Sequence, residues 1–560
     1  MPDKSALIPQ VAQWVSTLRY EDIPASVLKK ARLQILSVLA AVHSSSHTDA
    51  GKRILAAVQA WDTGGPCSLI PSGKKASLLN AVFANTALSV AQDYDDYLLF
   101  GHTGHSAVLV ALLLSERDGN SIQDCITAQV AANEIEGRIG ASVLLGPHNG
   151  QAWSFIHLIG SAAASAKLLG LSAEKTAHAM AVSMYQPTYV LMPGFMGPDS
   201  KLLTPATPSM TGVQAALLAE QGFTGALDLL ENRQGFFQNF SYYPLEFMVS
   251  GLGRAWVTDT LAYKIYPGCA YIDTTVDAVL KIRDDYQKQT GHELDPDQVK
   301  DVLVEATTLT TEMDHLSKVG EAFDVLNPVS INFSIPANVA ICLLKGRLSG
   351  ENLEPANLKA HGDMIRRLAD RVVLKHDLNL TAQMVGKMNE TLDLPRLLKE
   401  INLVGAARAG RRIQRQYQRK MGLGPGELIE FWRESGPEMR SRLWQGIKRE
   451  AGKRLIAEDK GVKARGYDLG DISLENFTMP FSARVTVTLK DGTKFTHQQD
   501  IPLGGPGHPF EETCALVKEK YAREAGRALS SEKVKDMLDR ADMLEEIGSA
   551  QELLHATCLS

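Results

Sequence analysis

Residues 5–264 carry one helical pattern after another, which commits the first half of the chain to a helical body. Residues 27–42 space their apolar side chains at helical intervals, with Lys29, Lys30 and Arg32 on the other face. Residues 80–91 are rich in Ala and Leu, and 124–139 and 151–171 continue the series. Within the last of these, GSAAASAK (160–167) is built of small residues up to its lysine, which lets a second helix approach closely. Gly170 stops that helix and Ser172 caps the next. Residues 211–221 predict a further helix, closed by Gly222. No strand–helix alternation and no glycine-rich phosphate loop interrupts the run, so the dinucleotide-binding folds have no support.

The texture changes after Tyr266-Pro267-Gly268. Residues 299–311 (VKDVLVEATTLTT) are rich in β-branched side chains and predict a strand, as do 371–376. Residues 483–499 alternate, turn at Lys490-Asp491-Gly492 and alternate again, the pattern of a hairpin. Helical patterns lie between, at 336–344 and 357–368, and again from Pro509 to the end. The expectation is a mainly α fold with a smaller α+β domain. Residues 1–264 and 505–560 would form a large all-helical domain from both chain ends, and 265–504 an inserted α+β lid. Within the lid, about 406–466 reads as a basic helical insertion, with AGRRIQRQYQRK at its front and Trp432 and Trp444 further on. A basic, aromatic run can bind nucleic acid. Here Glu427, Glu430, Glu434, Glu438 and Glu450 dilute it, so a surface hairpin or an oligomer contact is expected instead.

Composition bears on partners and compartment. A net charge of −6 over 560 residues gives no general attraction to nucleic acid or membrane. The opening MPDKSALIPQ lacks the basic and apolar regions of a signal peptide. The uncharged segment 179–197 holds Gln186, Pro187 and Pro193 and reads as a buried helix breaking into a loop, not a membrane span. The six cysteines lie far apart with no CxxC, so a reduced, cytoplasmic setting is expected, without a cysteine zinc site.

The stretch 92–110, QDYDDYLLFGHTGHSAVLV, stands out within the helical half. Asp93, Asp95 and Asp96 precede His102 and His105, and the chain then turns apolar at once. Helical sequence flanks it at 78–92 and 106–115, so a polar loop at the floor of a pocket is expected. Lone buried charges are costly, so the group is a site or a well-paired polar knot. Gly101 and Gly104 put the histidines on a loop. Asp93, Asp96, His102 and His105 offer oxygen and nitrogen ligands at helical i, i+3 spacing, but no distant carboxylate cluster completes a shell, and no metal is expected. Lys201 lies in a segment stiffened by Pro198, Pro205 and Pro208, where it is a base, an anion clamp or a solvent lysine. Lys264 opens KIYPGCAYIDTTVDA at the seam between the domains, where pockets concentrate. His148 and His157 flank HNGQAWSFIH, and a lone His on an apolar face is commonly a satisfied core residue. No GxSxG elbow or Cys–His pair supports a covalent mechanism.

Taken in order, these motifs resemble the MmgE/PrpD family. They are DYDD (93–96) with a following His-Ser, GSAAASAKLLGL (160–171), Ser200-Lys201 ahead of 211–231, KIYPGC (264–269), VTLKDGTKF (487–495) and GGPGHP (504–509). The resemblance spans residues 5–400 and 480–550. It implies a helical domain built from both chain ends, a homodimer and no cofactor. It further implies a lyase, a dehydratase or decarboxylase, that removes a proton or CO2 α to a carboxylate of a small di- or tricarboxylate. An epimerase or isomerase on the same scaffold, or a non-catalytic binding member, is the alternative. Neither nucleic acid nor membrane is an implied partner. Lys201 would be base or clamp, and His105 acid/base with His102 beside it. Asp93 and Asp96 would orient these groups, if they are not simply a helix cap and an ion pair. Lys264, Tyr266, Gln151, His148, His157 and Asp273 would bind substrate. The chain departs from the family's pattern at Ser106, where Pro is usual, at Gln151 and Asp273, where His is usual, and at Ala337, where Tyr is usual. The lysines carry over and the partner acid/base does not.

Overall fold

A computed structural model describes residues 6–99, 101–147, 154–317, 326–393, 396, 403–416 and 467–559. The helix Gly104–Asp118 runs through the middle of the helical body and is buried from Gly104 to Glu116. A helix apolar on every side has to be a core helix. Leu78–Val90, Ile122–Ser142 and Ile156–Leu168 pack around it. The close approach expected of the small-residue run is made with the helix Leu203–Glu220: a Cβ on Gly212 would stand 2.4 Å from the Leu158 carbonyl oxygen. Ser172 caps the following helix, accepting from the Lys175 amide.

Two boundaries differ from the sequence reading. The helix expected from 211 begins at Leu203 and takes in two of the three prolines. Pro205 sits in the first turn, where an amide has no helical partner to lose. Pro208 is interior, and the burial of Ala206, Pro208, Ser209 and Gly212 holds the helix together across it. The strand expected over 299–311 stops at Ala306, and Thr308–Ser317 is helical. There the β-branched Thr311 is tolerated because its hydroxyl donates back to the Thr307 carbonyl at 3.3 Å.

The smaller α+β part is a four-stranded sheet in the order Val372–His376, Val299–Ala306, Ala483–Leu489, Lys494–Gln499. The first pair is parallel, with Val302 opposite Val372. The others are antiparallel, with Val304 opposite Val485 and Val487 opposite Phe495. Gly492 supplies the left-handed turn residue of the hairpin, at φ 91°. The helix Asp273–Thr290 packs against the two hairpin strands.

The C-terminal helices return to the helical body. Phe510–Ala525 lies along Ala25–Ser46, and Ala550–Ala556 lies against Gly104–Asp118. A short strand, Asp96–Leu98, pairs antiparallel with Leu261–Tyr263 and fastens the acidic stretch to the chain entering the sheet region. Of the basic segment 406–466, the part after Gln416 lies outside the described residues, Trp432 and Trp444 included. Its beginning belongs to the helix Leu403–Gln416, whose Arg412 guanidinium lies 5.2 Å from the Tyr242 ring centre. Among the described residues no helix is long and apolar enough to cross a membrane. All six cysteines are free thiols.

Candidate active site

Asp93 takes a left-handed backbone, φ 54°, which an aspartate tolerates better than most residues. The chain bends again at Asp95 and enters the strand Asp96–Leu98. Asp93 and Asp95 both meet Lys264, Asp93 alone also meets Lys201, and Asp96 points elsewhere. The backbone fixes Lys264 opposite them: its amide donates to the Asp95 carbonyl at 3.2 Å, and the Gly268 amide to the Asp93 carbonyl at 3.3 Å. Lys264 Nζ donates to Asp95 Oδ1 and to the Asp93 carbonyl, each at 2.9 Å, and lies 3.4 Å from Asp93 Oδ1. Lys201, on the 3-10 turn Asp199–Leu202, brings Nζ to 3.4 Å from Asp93 Oδ2. Its ammonium also faces the rings of Phe333, at 4.7 Å, and Phe195, at 5.5 Å. All four charged side chains are fully buried.

The histidines complete the group around Asp95. His102 Nδ1 is 2.7 Å from Asp95 Oδ2, and His105 Nε2 is 3.1 Å from the same oxygen. His105 Nδ1 is held by Ser89 Oγ at 2.7 Å. His105 stands in the first turn of the helix Gly104–Asp118, not on the loop expected from Gly101 and Gly104; only His102 precedes the helix. The His157 ring stands edge-on to His105, centres 5.7 Å apart, with its Nδ1 2.7 Å from Ser106 Oγ.

Burial and pairing set the charges. Burial alone would raise the Asp93 and Asp95 carboxyls. The ammonium groups of Lys201 and Lys264 outweigh it at Asp93, and Lys264 with the two histidines does so at Asp95, so both stay below the usual range. Burial pulls Lys201 down, with Asp93 opposing. Lys264 is also buried, but Asp93 and Asp95 hold it above the ordinary lysine value. Burial lowers His102 and takes His157 well down, so both rings favour the neutral form.

Asp96 is separate from this group. Its Oδ2 accepts from Gln34 Nε2 at 2.7 Å and from the Gly104 amide at 3.3 Å, so it serves the N-terminus of the buried helix. Gly104 makes the room: a Cβ there would fall 1.9 Å from Asp96 Oδ1. Burial, with Asp95 next to it, pushes this carboxyl up to about 7. Tyr266 donates its hydroxyl to Asp277 Oδ1 at 2.8 Å. Asp273 opens the helix Asp273–Thr290 and is buried, which raises its carboxyl well above the usual value. His148 and Gln151 lie outside the described residues.

Several members of the group were not singled out from the sequence. Asp95 is the most central, and the helical i, i+3 period passed over it for Asp96. Ser89, Phe195 and Phe333 carry no motif. Lys520, on the C-terminal helix Phe510–Ala525, donates to Ser37 Oγ at 3.0 Å and to the carbonyls of Tyr94 at 2.6 Å and Lys264 at 3.0 Å. It lies 4.3 Å from the Tyr94 ring centre. No local signal could show that the chain's end pins the backbone on both sides of the paired charges.

Chemically, two ammonium groups are balanced by two carboxylates, with imidazoles alongside. That arrangement can bind carboxylates, spread carbanion charge and move protons. Donor atoms of Asp95, His102 and His105 lie within 4.8 Å of one another, close enough to converge on a divalent cation. Lys264 already gives Asp95 its positive partner at 2.9 Å, so a cation there would face a fixed ammonium.

Known proteins share this chain's pattern. Residues 9–247 match the MmgE/PrpD N-terminal domain, and residues 266–400 match the MmgE/PrpD C-terminal domain. The cis-aconitate decarboxylase of Aspergillus terreus is 27% identical over 301 residues, covering 50% of this chain and 61% of that protein. The cis-aconitate decarboxylase-like protein oryM of Aspergillus oryzae is 25% identical over 297 residues, again 50% of this chain and 61% of that protein. The match thus spans less than two thirds of the length of either relative.

Proposed function

Because the chain belongs to the MmgE/PrpD family, we propose that it is a lyase acting on a small di- or tricarboxylate without a bound cofactor, as a cytoplasmic homodimer. The observation that carries this reading is the buried lysine pair, Lys201 and Lys264, bridged by Asp93 and backed by Asp95 and two histidines. A substrate carboxylate takes up the ammonium charge now shared with Asp93. Loss of CO2 leaves its bonding pair on the α-carbon, and loss of an α-proton leaves the same kind of carbanion. Either charge spreads into the neighbouring carboxylate, where the lysines stabilise it. His105, oriented by Ser89 and facing Asp95, exchanges the proton. In decarboxylation it protonates the carbanion, and in dehydration a proton leaves with the hydroxyl as water. The decarboxylase activity for which the Aspergillus terreus relative is named favours decarboxylation over dehydration or epimerisation.

Incubation in D2O with cis-aconitate, 2-methylcitrate and aspartate-derived imino acids tests the reading. A catalyst makes product or washes deuterium into the substrate. Neither event on any of them would favour a binding or assembly protein that kept the fold. Lys201→Ala should lower turnover by about a hundredfold or more. Lys201→Arg should recover little, because arginine keeps its charge and cannot serve as a base. Near wild-type rates in Lys201→Ala would move the chemistry to Lys264.

A further inference from the structure

Behind His105 lies a polar group made by side chains from three helices. Ser106 is on Gly104–Asp118, Glu136 on Ile122–Ser142 and His157 on Ile156–Leu168. Ser106 Oγ donates to Glu136 Oε1 at 2.7 Å, and the same oxygen is 2.7 Å from His157 Nδ1. A serine hydroxyl has one proton. Burial pushes the Glu136 carboxyl well above its usual range, toward the protonated form; with its proton on Oε2, Oε1 still accepts from Ser106, and the contact to His157 is then filled when Nδ1 carries a proton and donates it to Ser106. The two bonds then form one directed chain, from imidazole to hydroxyl to carboxyl, and His157 Nε2 is left with its lone pair.

The packing is shaped around this group. A Cβ on Gly160 would lie 1.7 Å from Glu136 Oε1, so the carboxyl occupies space that only a glycine leaves open. Glu136 and Ser106 are fully buried and His157 is 2% exposed, so bulk water does not compete for the bonds. Glu136 Oε2 lies 3.7 Å from His157 Nδ1, on the same side of the ring as Ser106. The other groups acting on His157 are His105, His102 and Asp95, and beyond Glu136 stands Asp96. Burial keeps the His157 ring toward its neutral form.

We infer that Glu136 and Ser106 are positioning residues that keep the proton of His157 on Nδ1, so that a neutral ring with a basic Nε2 stands beside His105. A histidine whose tautomer is set by a carboxyl partner is a prepared proton acceptor. Here a serine carries the connection. The structural part stands on the contacts alone, and the effect on rate rests on the proposed lyase reaction.

Nitrogen-15 NMR of the full chain labelled at histidine reads the tautomer, with His157→Gln identifying the resonances. The expected result near neutral pH is a protonated Nδ1 and an unprotonated Nε2. Glu136→Gln keeps an acceptor oxygen for Ser106 and should leave that pattern in place. Ser106→Ala should lose it, and Ser106→Thr, which restores the hydroxyl, should recover it. A wild-type ring protonated on Nε2, or a pattern untouched by Ser106→Ala, overturns the inference. With the substrate found by the deuterium screen, Ser106→Ala should lower kcat about tenfold to a hundredfold at nearly constant KM. Ser106→Thr should regain most of that loss. An unchanged kcat in Ser106→Ala overturns the role in the reaction. If no carboxylate is turned over, the lyase reading fails while the NMR result still decides the tautomer.

Discussion

Asp95 and Asp96 are adjacent, yet the fold gives them different work. Asp95 touches Lys264, His102 and His105, whereas Asp96 serves Gln34 and the start of a helix. Asp95→Asn should therefore lower turnover by about a hundredfold, because an amide cannot balance Lys264 and presents a donor to at least one neighbour. Asp96→Asn should stay within a few-fold of wild type. The two also differ in the pH dependence of stability. The folded Asp96 carboxyl stands at about 7, above its ordinary 3.8, so folding favours its protonated form. That contribution is present below the ordinary value and is lost as pH rises through about 7. Asp96→Asn should flatten the decline, read by urea unfolding at about pH 5 and about pH 8. Chelation belongs to the same scale. With Lys264 as the resident positive charge, turnover should survive EDTA. A loss restored by a divalent ion would return Asp95, His102 and His105 to metal binding.

The elements were more legible than their contacts. Long apolar patterns announced the helices around Gly104–Asp118, and strict alternation announced the hairpin Ala483–Leu489 and Lys494–Gln499. Prolines and threonines misled, because burial kept Pro208 inside a helix and back-bonding let Thr311 join one. Site lysines were legible because each sits in a motif. Lys520 was not, since its partner carbonyl at Lys264 is 256 residues away in sequence. Its position gives an element-scale prediction. Lys520→Met strands the carbonyls of Tyr94 and Lys264, each at a cost of about 1–3 kcal/mol, partly offset by no longer burying an ammonium. Stability should fall, and turnover with it, as the backbone beside Asp93, Asp95 and Lys264 loosens. Burial lowers the Lys520 ammonium to about 7 from 10.5, so the unfolded chain holds more protons between those values. Wild-type stability therefore gains from this group as pH rises across that window, and the methionine variant should lack the gain. Urea unfolding at both ends of the window separates the cases.

At the scale of the molecule, the paired charges draw on distant parts of the chain. Asp93 and Asp95 come from the helical half, Lys264 from the entry to the sheet region, and Lys520 from the C-terminal helix. We take 1–264 with 505–560 as one helical domain and 265–504 as a lid inserted into it. On that division the basic segment 406–466 is an insertion within an insertion. The sheet supports this, because its strands pair directly across the gap: Val299–Ala306 and Ala483–Leu489 are neighbours. Joining the ends of a long loop costs only a slowly growing entropy, so a surface insertion can come and go without disturbing what it connects. Deleting 406–466 should then leave the helical domain folded, with near-UV circular dichroism close to wild type. The deletion removes Arg412 from the Tyr242 ring, an interaction worth about 0.5–1 kcal/mol where exposed, together with the packing of the small buried Ala409. A molten variant would put the segment in the core and overturn the division. Sedimentation of the folded variant adds a second readout: a monomer, where the full chain is a dimer, would place the contact between copies on this basic segment.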